Sequence, residues 1–298
     1  MAVVVVTDSA ACLPAELRER WGIRQVPLHI LVDGVDLRDG VDQIPEDICQ
    51  REGVTTAGAA PAELLAAYRD ALADSDGDGV VAVHISSALS GTLGAAESAA
   101  GELGASVRVV DSRSTGMGTG FVALAAARSA AGGGCVDDVV AAADSAVLRG
   151  RAYLVVNRLD NLRRSGRLSS AAAWLGTALS LKPLLAIDDG KLVLAQRVRT
   201  STKAVAAMVD RVCQAVGERS AAVAVQHAAN PGGAAEVAAA LAERLPACAP
   251  AIVTGLGPTL TVHVGTGAVA VCLSLPDELG DDGADQPPAG SGSVDRPD

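Results

Sequence analysis

Short runs of β-branched residues alternate along this chain with longer alanine-rich stretches, and that alternation narrows the fold more than any other feature. The runs Val3–Val6, Gln25–Val32, Val80–Ile85, Val107–Val110, Tyr153–Val156, Leu184–Ile187, Leu192–Ala195, Ala222–Gln226 and Ala251–Val253 have the length and composition of strands. Between them, Pro14–Arg20, Ala62–Ala73, Gly94–Leu103, Gly120–Ala131, Val136–Leu148, Ser201–Val216 and Ala234–Leu245 carry helical patterns. A βαβα order predicts parallel sheet covered by helices on both faces.

The pattern changes after Arg149. Residues Arg158–Arg167 are basic and polar, Ala171–Leu181 is an apolar helical stretch, and Asp188-Asp189-Gly190 joins two short strands as a hairpin turn would. A second βαβ-like pattern follows. The expected fold is α/β with two lobes, each with a mainly parallel sheet and flanking helices. The lobes span about residues 3–150 and 151–276. The last 22 residues, 277–298, are rich in Gly, Pro, Ser and Asp and predict a disordered tail.

Composition excludes several functions. Aromatics are 2% of the chain, and the formal net charge is −11. Seven acids and one base give the tail −6, leaving −5 for the body. Single-stranded nucleic acid needs aromatic faces and a basic groove, and an anionic membrane needs a basic patch. Neither partner is expected. No apolar run reaches the roughly 18 residues of a membrane span, so stable insertion is not expected. Met1–Val6 is too short for a signal peptide and lacks a basic start. Six cysteines without CxxC spacing predict reduced thiols, no metal site and a cytoplasmic protein.

In open α/β sheets the ligand sits beyond the carboxyl ends of the strands. Thr7-Asp8-Ser9, Ser86-Ser87-Ala88-Leu89-Ser90-Gly91-Thr92 and Asp111-Ser112 each follow a strand, so hydroxyls gather along one sheet edge. Ser90-Gly91-Thr92 begins a helix, where free N–H groups favour an anion. Capping is the commonest role of a single hydroxyl there; three strand ends together point to a ligand. No GxxxxGK[ST], GxSxG or HExxH occurs. Gly116-Met117-Gly118-Thr119-Gly120 lacks nucleotide-binding spacing and reads as a turn plus close helix packing. Of the histidines, His29 and His84 read as core or edge residues. His263, between two glycine-rich turns, could reach a carboxylate. The cations Arg158, Arg163, Arg164, Arg167, Arg197, Arg199 and Lys203 form a solvated face or a basic rim suited to phosphate.

Taken in order, these segments resemble the DegV family of fatty-acid-binding proteins over about residues 3 to 274. The likeness rests on Thr7-Asp8-Ser9 with Leu13-Pro14, Val26-Pro27-Leu28, Arg38-Asp39-Gly40-Val41-Asp42 and the Ser86–Thr92 segment. It continues through Asp111-Ser112, Ser165-Gly166-Arg167-Leu168-Ser169, Lys182-Pro183, Arg197-Val198-Arg199, Gly257-Pro258 and His263-Val264-Gly265. The resemblance implies two lobes enclosing a long-chain, palmitate-like or oleate-like acid, with no other cofactor. It implies that Thr55, Thr56, Ser90, Gly91, Thr92 and His263 hold the carboxylate. It further implies that a separate ATP-dependent fatty acid kinase makes the acyl phosphate, with Arg167 and Arg199 as contacts to that partner or its phosphate. In one loop the chain departs from the family: Thr55-Thr56-Ala57-Gly58-Ala59-Ala60-Pro61 stands where Thr-Thr-Ser-Gln-Pro-Ser-Pro is usual, so one hydroxyl donor is missing.

The chief alternative is a small-molecule hydrolase or transferase using Asp8 and Asp111 beside the strand-end serines. A scaffold whose interlobe space is only packed core is a third reading.

Overall fold

The computed structural model describes residues 2–51, 53–168 and 182–276. The apolar stretch 171–181, the serine that ends the Ser165–Ser169 segment and the acidic tail after residue 276 lie outside the described residues.

The first sheet contains β1 (Val4–Asp8), β2 (Arg24–Val26), β6 (Val80–His84) and β7 (Val107–Asp111). Its order is β2-β1-β6-β7, and every pairing is parallel. The chain steps from β1 outward to β2 and later returns to the other side as β6. The loops after β1 and β6 therefore diverge, which is where such sheets hold ligands. A small antiparallel sheet, order β4-β3-β5, is built from β3 (His29–Val32), β4 (Val35–Arg38) and β5 (Thr55–Ala57). The run expected as one strand over Gln25–Val32 is thus two, broken at Pro27-Leu28, because proline cannot donate to the ladder.

The third sheet holds β8 (Gly150–Val155), β9 (Lys182–Asp188), β10 (Lys191–Val198), β11 (Ala222–His227), β12 (Ile252–Gly255) and β13 (Val269–Ser274), in the order β10-β9-β8-β13-β11-β12. Only β11–β12 is parallel. The expectation of a mainly parallel second sheet is corrected here. The Asp188-Asp189-Gly190 turn folds β10 back on β9, and β13 runs against both β8 and β11. Only the helical crossover from β11 to β12 supplies the parallel geometry.

Of the helices, the short α1 (Ala15–Arg20) joins β1 to β2, α2 (Pro61–Asp74) and α3 (Thr92–Gly101) cover one face of the first sheet, and α4 (Met117–Ala131) and α5 (Val136–Arg149) lie on the other. α4 is apolar on all sides, and eleven of its fifteen residues are buried. Its core neighbours come from both large sheets, including Val5, Val83, Ala152 and Cys272. A helix without a polar face has to be enclosed, and here it is the wedge between the two layers. The glycine-rich start of α4 is a turn and a close approach, as its sequence suggests. Gly116 has φ +58° and ψ −148°, and a Cβ on Gly120 would meet Ala11 O at 3.0 Å. α7 (Ser201–Val216) and α8 (Pro231–Arg244) pack their apolar stripes on the third sheet. α6 (Asp160–Arg164) and α9 (Gly257–Val264) are short helices that pack against each other, and both contribute side chains to the cleft lining. Among the described residues, no helix is long and apolar enough to cross a membrane.

Candidate functional site

A cleft opens among the first sheet's loops, the face of the third sheet, α6 and α9. Its wall is largely aliphatic: Leu28, Ile85, Leu89, Leu154, Leu162, Ile187, Leu192, Leu256, Leu260 and Val264 all contribute. Its lining, mostly aliphatic with a few polar groups, is that of a small-molecule site.

One end of the cleft is polar. Thr56 on β5 and His263 on α9 are far apart in sequence, yet Thr56 Oγ1 lies 2.7 Å from His263 Nε2. Period-two alternation aims Thr56 inward, while its neighbour Thr55 is exposed and lines a separate outer hollow. Ser90 and Gly91 bring the turn after β6 to the same end. That turn is pinned from below: Ser86 N–H donates to Ser114 O, and Ser86 Oγ donates to Gly190 O at the β9–β10 hairpin (2.8 Å). Ser90 Oγ accepts the Thr92 N–H (3.3 Å) and lies 2.8 Å from Thr92 Oγ1. Thr92 itself is fully buried beneath them. These two hydroxyls therefore serve the start of α3, the capping role that sequence allows for them, and Ser90 also faces the cleft.

The β5–α2 loop closes onto that same helix start. Ala59 N–H donates to Thr92 Oγ1 (3.3 Å), and a Cβ on Gly58 would lie 2.8 Å from Thr92 Oγ1 and 3.0 Å from Thr92 N. The substituted loop is therefore packed tighter than a side chain at position 58 would permit. Ala57 and Gly58 both line the cleft without offering a hydroxyl.

Arg167 also reaches this end. Its Nε donates to Leu89 O (3.3 Å) and its Nη1 to Ser165 O, so the guanidinium is tied to the turn that carries Ser90. Arg167 lines both the cleft and the outer hollow, as do Thr56 and His263. The outer hollow adds Arg51 and Arg164. Burial, and then the nearby Arg167 charge, push the His263 imidazole down to about 4, so it is neutral at ordinary pH. Its Nδ1 is buried without a hydrogen-bond partner among the described residues.

His263 does not stand in a glycine-framed turn, as the sequence suggested. It sits in the last turn of α9, whose start is Gly257 with Pro258 in the first turn. Proline is well placed there, because the first helical N–H needs no partner. Arg199 does not line the cleft; it is exposed just after β10.

The acids of the hydrolase reading have other work. Asp8 is fully buried and accepts three hydrogen bonds, from Ala10 N (3.0 Å), Ile85 N (2.9 Å) and His84 Nδ1 (2.9 Å). Burial pushes the Tyr68 hydroxyl up, keeping it protonated, and it meets His84 Nε2 at 2.7 Å. This closed chain lies away from the cleft lining. Asp111 accepts from Ser87 N, Ser87 Oγ (2.6 Å) and Arg113 N (2.8 Å) and organises its own loop. Neither carboxylate lines the cleft.

Sequence reasoning passed over Thr115, Gln226 and Thr259, which also line the cleft. Gln226 had a readable signal: it is a polar residue inside the otherwise apolar run Ala222-Val223-Ala224-Val225. β13, whose Ala270 and Cys272 floor the cleft, is the apolar run Val269-Ala270-Val271-Cys272-Leu273, equally visible and equally passed over.

Comparison with known proteins places this architecture. A DegV domain-containing protein of Mycobacterium tuberculosis is 68% identical over 275 residues, covering 92% of this chain and 98% of the relative. A solved structure described as fatty acid binding of a DegV family protein from Thermus thermophilus superposes with TM-score 0.85 at 32% identity, over 92% of this chain and 99% of that one. DegV from Bacillus subtilis, described as a fatty acid binding protein, gives TM-score 0.83 at 29% identity, over 93% and 100%. The family model described as an uncharacterised protein of the DegV family matches residues 2–275, and the chain belongs to that family.

Proposed function

We propose that this protein binds a long-chain fatty acid, with the alkyl chain in the aliphatic cleft and the carboxylate at its polar end. The observation that carries this reading is the convergence of Thr56 and His263, 2.7 Å apart, at one end of an otherwise aliphatic cavity. The fatty acid binding described for the Thermus and Bacillus relatives supports it. A neutral His263 that donates from Nε2 to Thr56 Oγ1 leaves the Thr56 hydrogen free to donate to a carboxylate oxygen. Ser90 Oγ and the Gly91 N–H are the further donors, and Arg167 supplies the balancing charge. Each methylene drawn from water into the cleft contributes about 0.8 kcal/mol, so affinity grows with chain length until the cavity is filled. In this reading the lobes are about residues 3–150 and 151–276, and Thr55 acts at the mouth rather than on the ligand.

The protein performs no chemistry of its own in this scheme. It presents the carboxylate through the outer hollow, where Arg51, Arg164 and Arg167 gather, to an ATP-dependent fatty acid kinase that forms the acyl phosphate. Arg199 lies on an exposed surface and would contact only the partner.

Lipid extraction of purified protein followed by mass spectrometry tests the first step, with palmitate and oleate titrated into the delipidated protein. Thr56→Val and Ser90→Ala should each weaken binding by roughly 10- to 150-fold, one hydrogen bond to a charged group. Absence of lipid together with no uptake of either acid would refute the binding role. Uptake without acyl phosphate formation, when a family kinase and ATP are added, would refute the partner role alone.

A further inference from the structure

Away from the carboxylate end, the cleft carries polar atoms that have no partner. Gln226 is fully buried on β11, and its Oε1 accepts the Met117 N–H at the start of α4 (2.8 Å). A backbone N–H can be met only by the amide oxygen, so this bond fixes which way the amide faces. Among the described residues, its Nε2 is buried with no hydrogen bond. Thr115 Oγ1, two residues before Met117, is likewise buried without a partner among them. Both residues line the cleft. The Cys12 sulfur is a weak partner for the amide, and its thiol hydrogen is engaged with Leu256 O (3.1 Å), so a good oxygen acceptor is still lacking. Gly116 lets the chain run this close: a Cβ there would strike the Gln226 side chain.

α9 measures the separation from the carboxylate end. Leu256 N–H donates to His227 O (2.9 Å), beside Gln226, and His263 lies seven residues further on. At the helical rise this is about 10 Å. An extended chain advances roughly 1.2 Å per bond, so about eight bonds separate the two levels.

We propose that Gln226 Nε2 and Thr115 Oγ1 form a second polar subsite that recognises an oxygen substituent, a hydroxyl above all, near the middle of the acyl chain. The proposal rests on the fatty acid reading and adds the ligand class. A hydroxyl oxygen accepts from Nε2, while its hydrogen and the Thr115 hydroxyl satisfy each other. A plain alkyl chain covers both groups with methylene and leaves them without partners, the costly arrangement for buried polar atoms.

The test is competitive titration of stearic, 10-hydroxystearic and 12-hydroxystearic acids against a fluorescent fatty acid. At least one hydroxy acid should bind the unaltered protein roughly five- to tenfold more tightly than stearate. In Thr115→Val, which keeps the side-chain shape and leaves the Gln226 bond to α4 untouched, that ratio should fall towards one. Gln226→Leu should abolish it. Stearate binding with no preference for either hydroxy acid overturns the subsite alone, as does a preference that survives both substitutions. Failure of all three acids to bind removes the fatty acid reading as well.

Discussion

His263 offers a quantitative check on the polar end of the cleft. The imidazole is held at about 4 in the folded protein by burial and then by Arg167, against about 6.5 in an unfolded chain. Between those values the unfolded chain binds more protons than the folded one. Stability therefore falls as pH falls through that window. From pH of about 7 to about 4.5 the difference integrates to about 2 kcal/mol, and partial exposure lowers it towards about 1 kcal/mol. Urea denaturation at both pH values, on the unaltered protein and on His263→Gln, isolates this contribution because the other titrating groups are shared. The variant should lose about 1–2 kcal/mol less on acidification. Equal losses in the two proteins, or an imidazole that titrates near 6.5 by NMR, would refute the account of a desolvated neutral histidine beside a cation.

His29 should behave with the opposite sign. Burial works against its charge, but hydrogen bonds to Asp36 and Glu63, 2.8 Å each, outweigh it and raise its pKa. Its stabilisation is complete below about 6.5 and is lost as pH rises through the raised folded value. Amide exchange in β3 and β4 should quicken over that rise, and His29→Gln should remove the dependence. Tyr68→Phe leaves His84 Nε2 buried without its 2.7 Å partner and should cost about 1–3 kcal/mol in urea melts. Its affinity for fatty acid should be unchanged, because the chain from Tyr68 to Asp8 does not line the cleft. Gly116→Ala forces a side chain into a glycine-only conformation and against Gln226. It should lower stability by about 1–3 kcal/mol or more, visible as a reduced thermal midpoint.

Much of the architecture is carried by local pattern. The all-apolar runs at Val4–Val6 and Val80–Val83 could only be central strands, and the unbroken apolar surface of Phe121–Ala127 could only be an enclosed helix. The hydroxyls after β1, β6 and β7 fall on one edge because parallel strands end on the same side. Ser90, Thr56 and His263 were legible as an ordered set of short motifs. Strand direction in the third sheet was not, since an apolar run reads the same parallel or antiparallel. α9 was not legible either: Thr259-Leu260-Thr261-Val262 is rich in β-branched residues, and its helix depends on the Gly257-Pro258 start and on burial of its apolar side.

The sequence by itself determined the helix-covered layers and the residue types able to hold a carboxylate, because periodicity and turn chemistry are local. Tertiary structure alone decided what those residues meet. It set Thr56 against His263 across 207 positions of chain, turned Thr55 away from the cleft, enclosed Asp8 in a satisfied hydrogen-bond chain and left Gln226 Nε2 buried beside the cleft without a partner among the described residues. Each of these depends on distance and on the exclusion of water, which arise only when segments remote in sequence pack together.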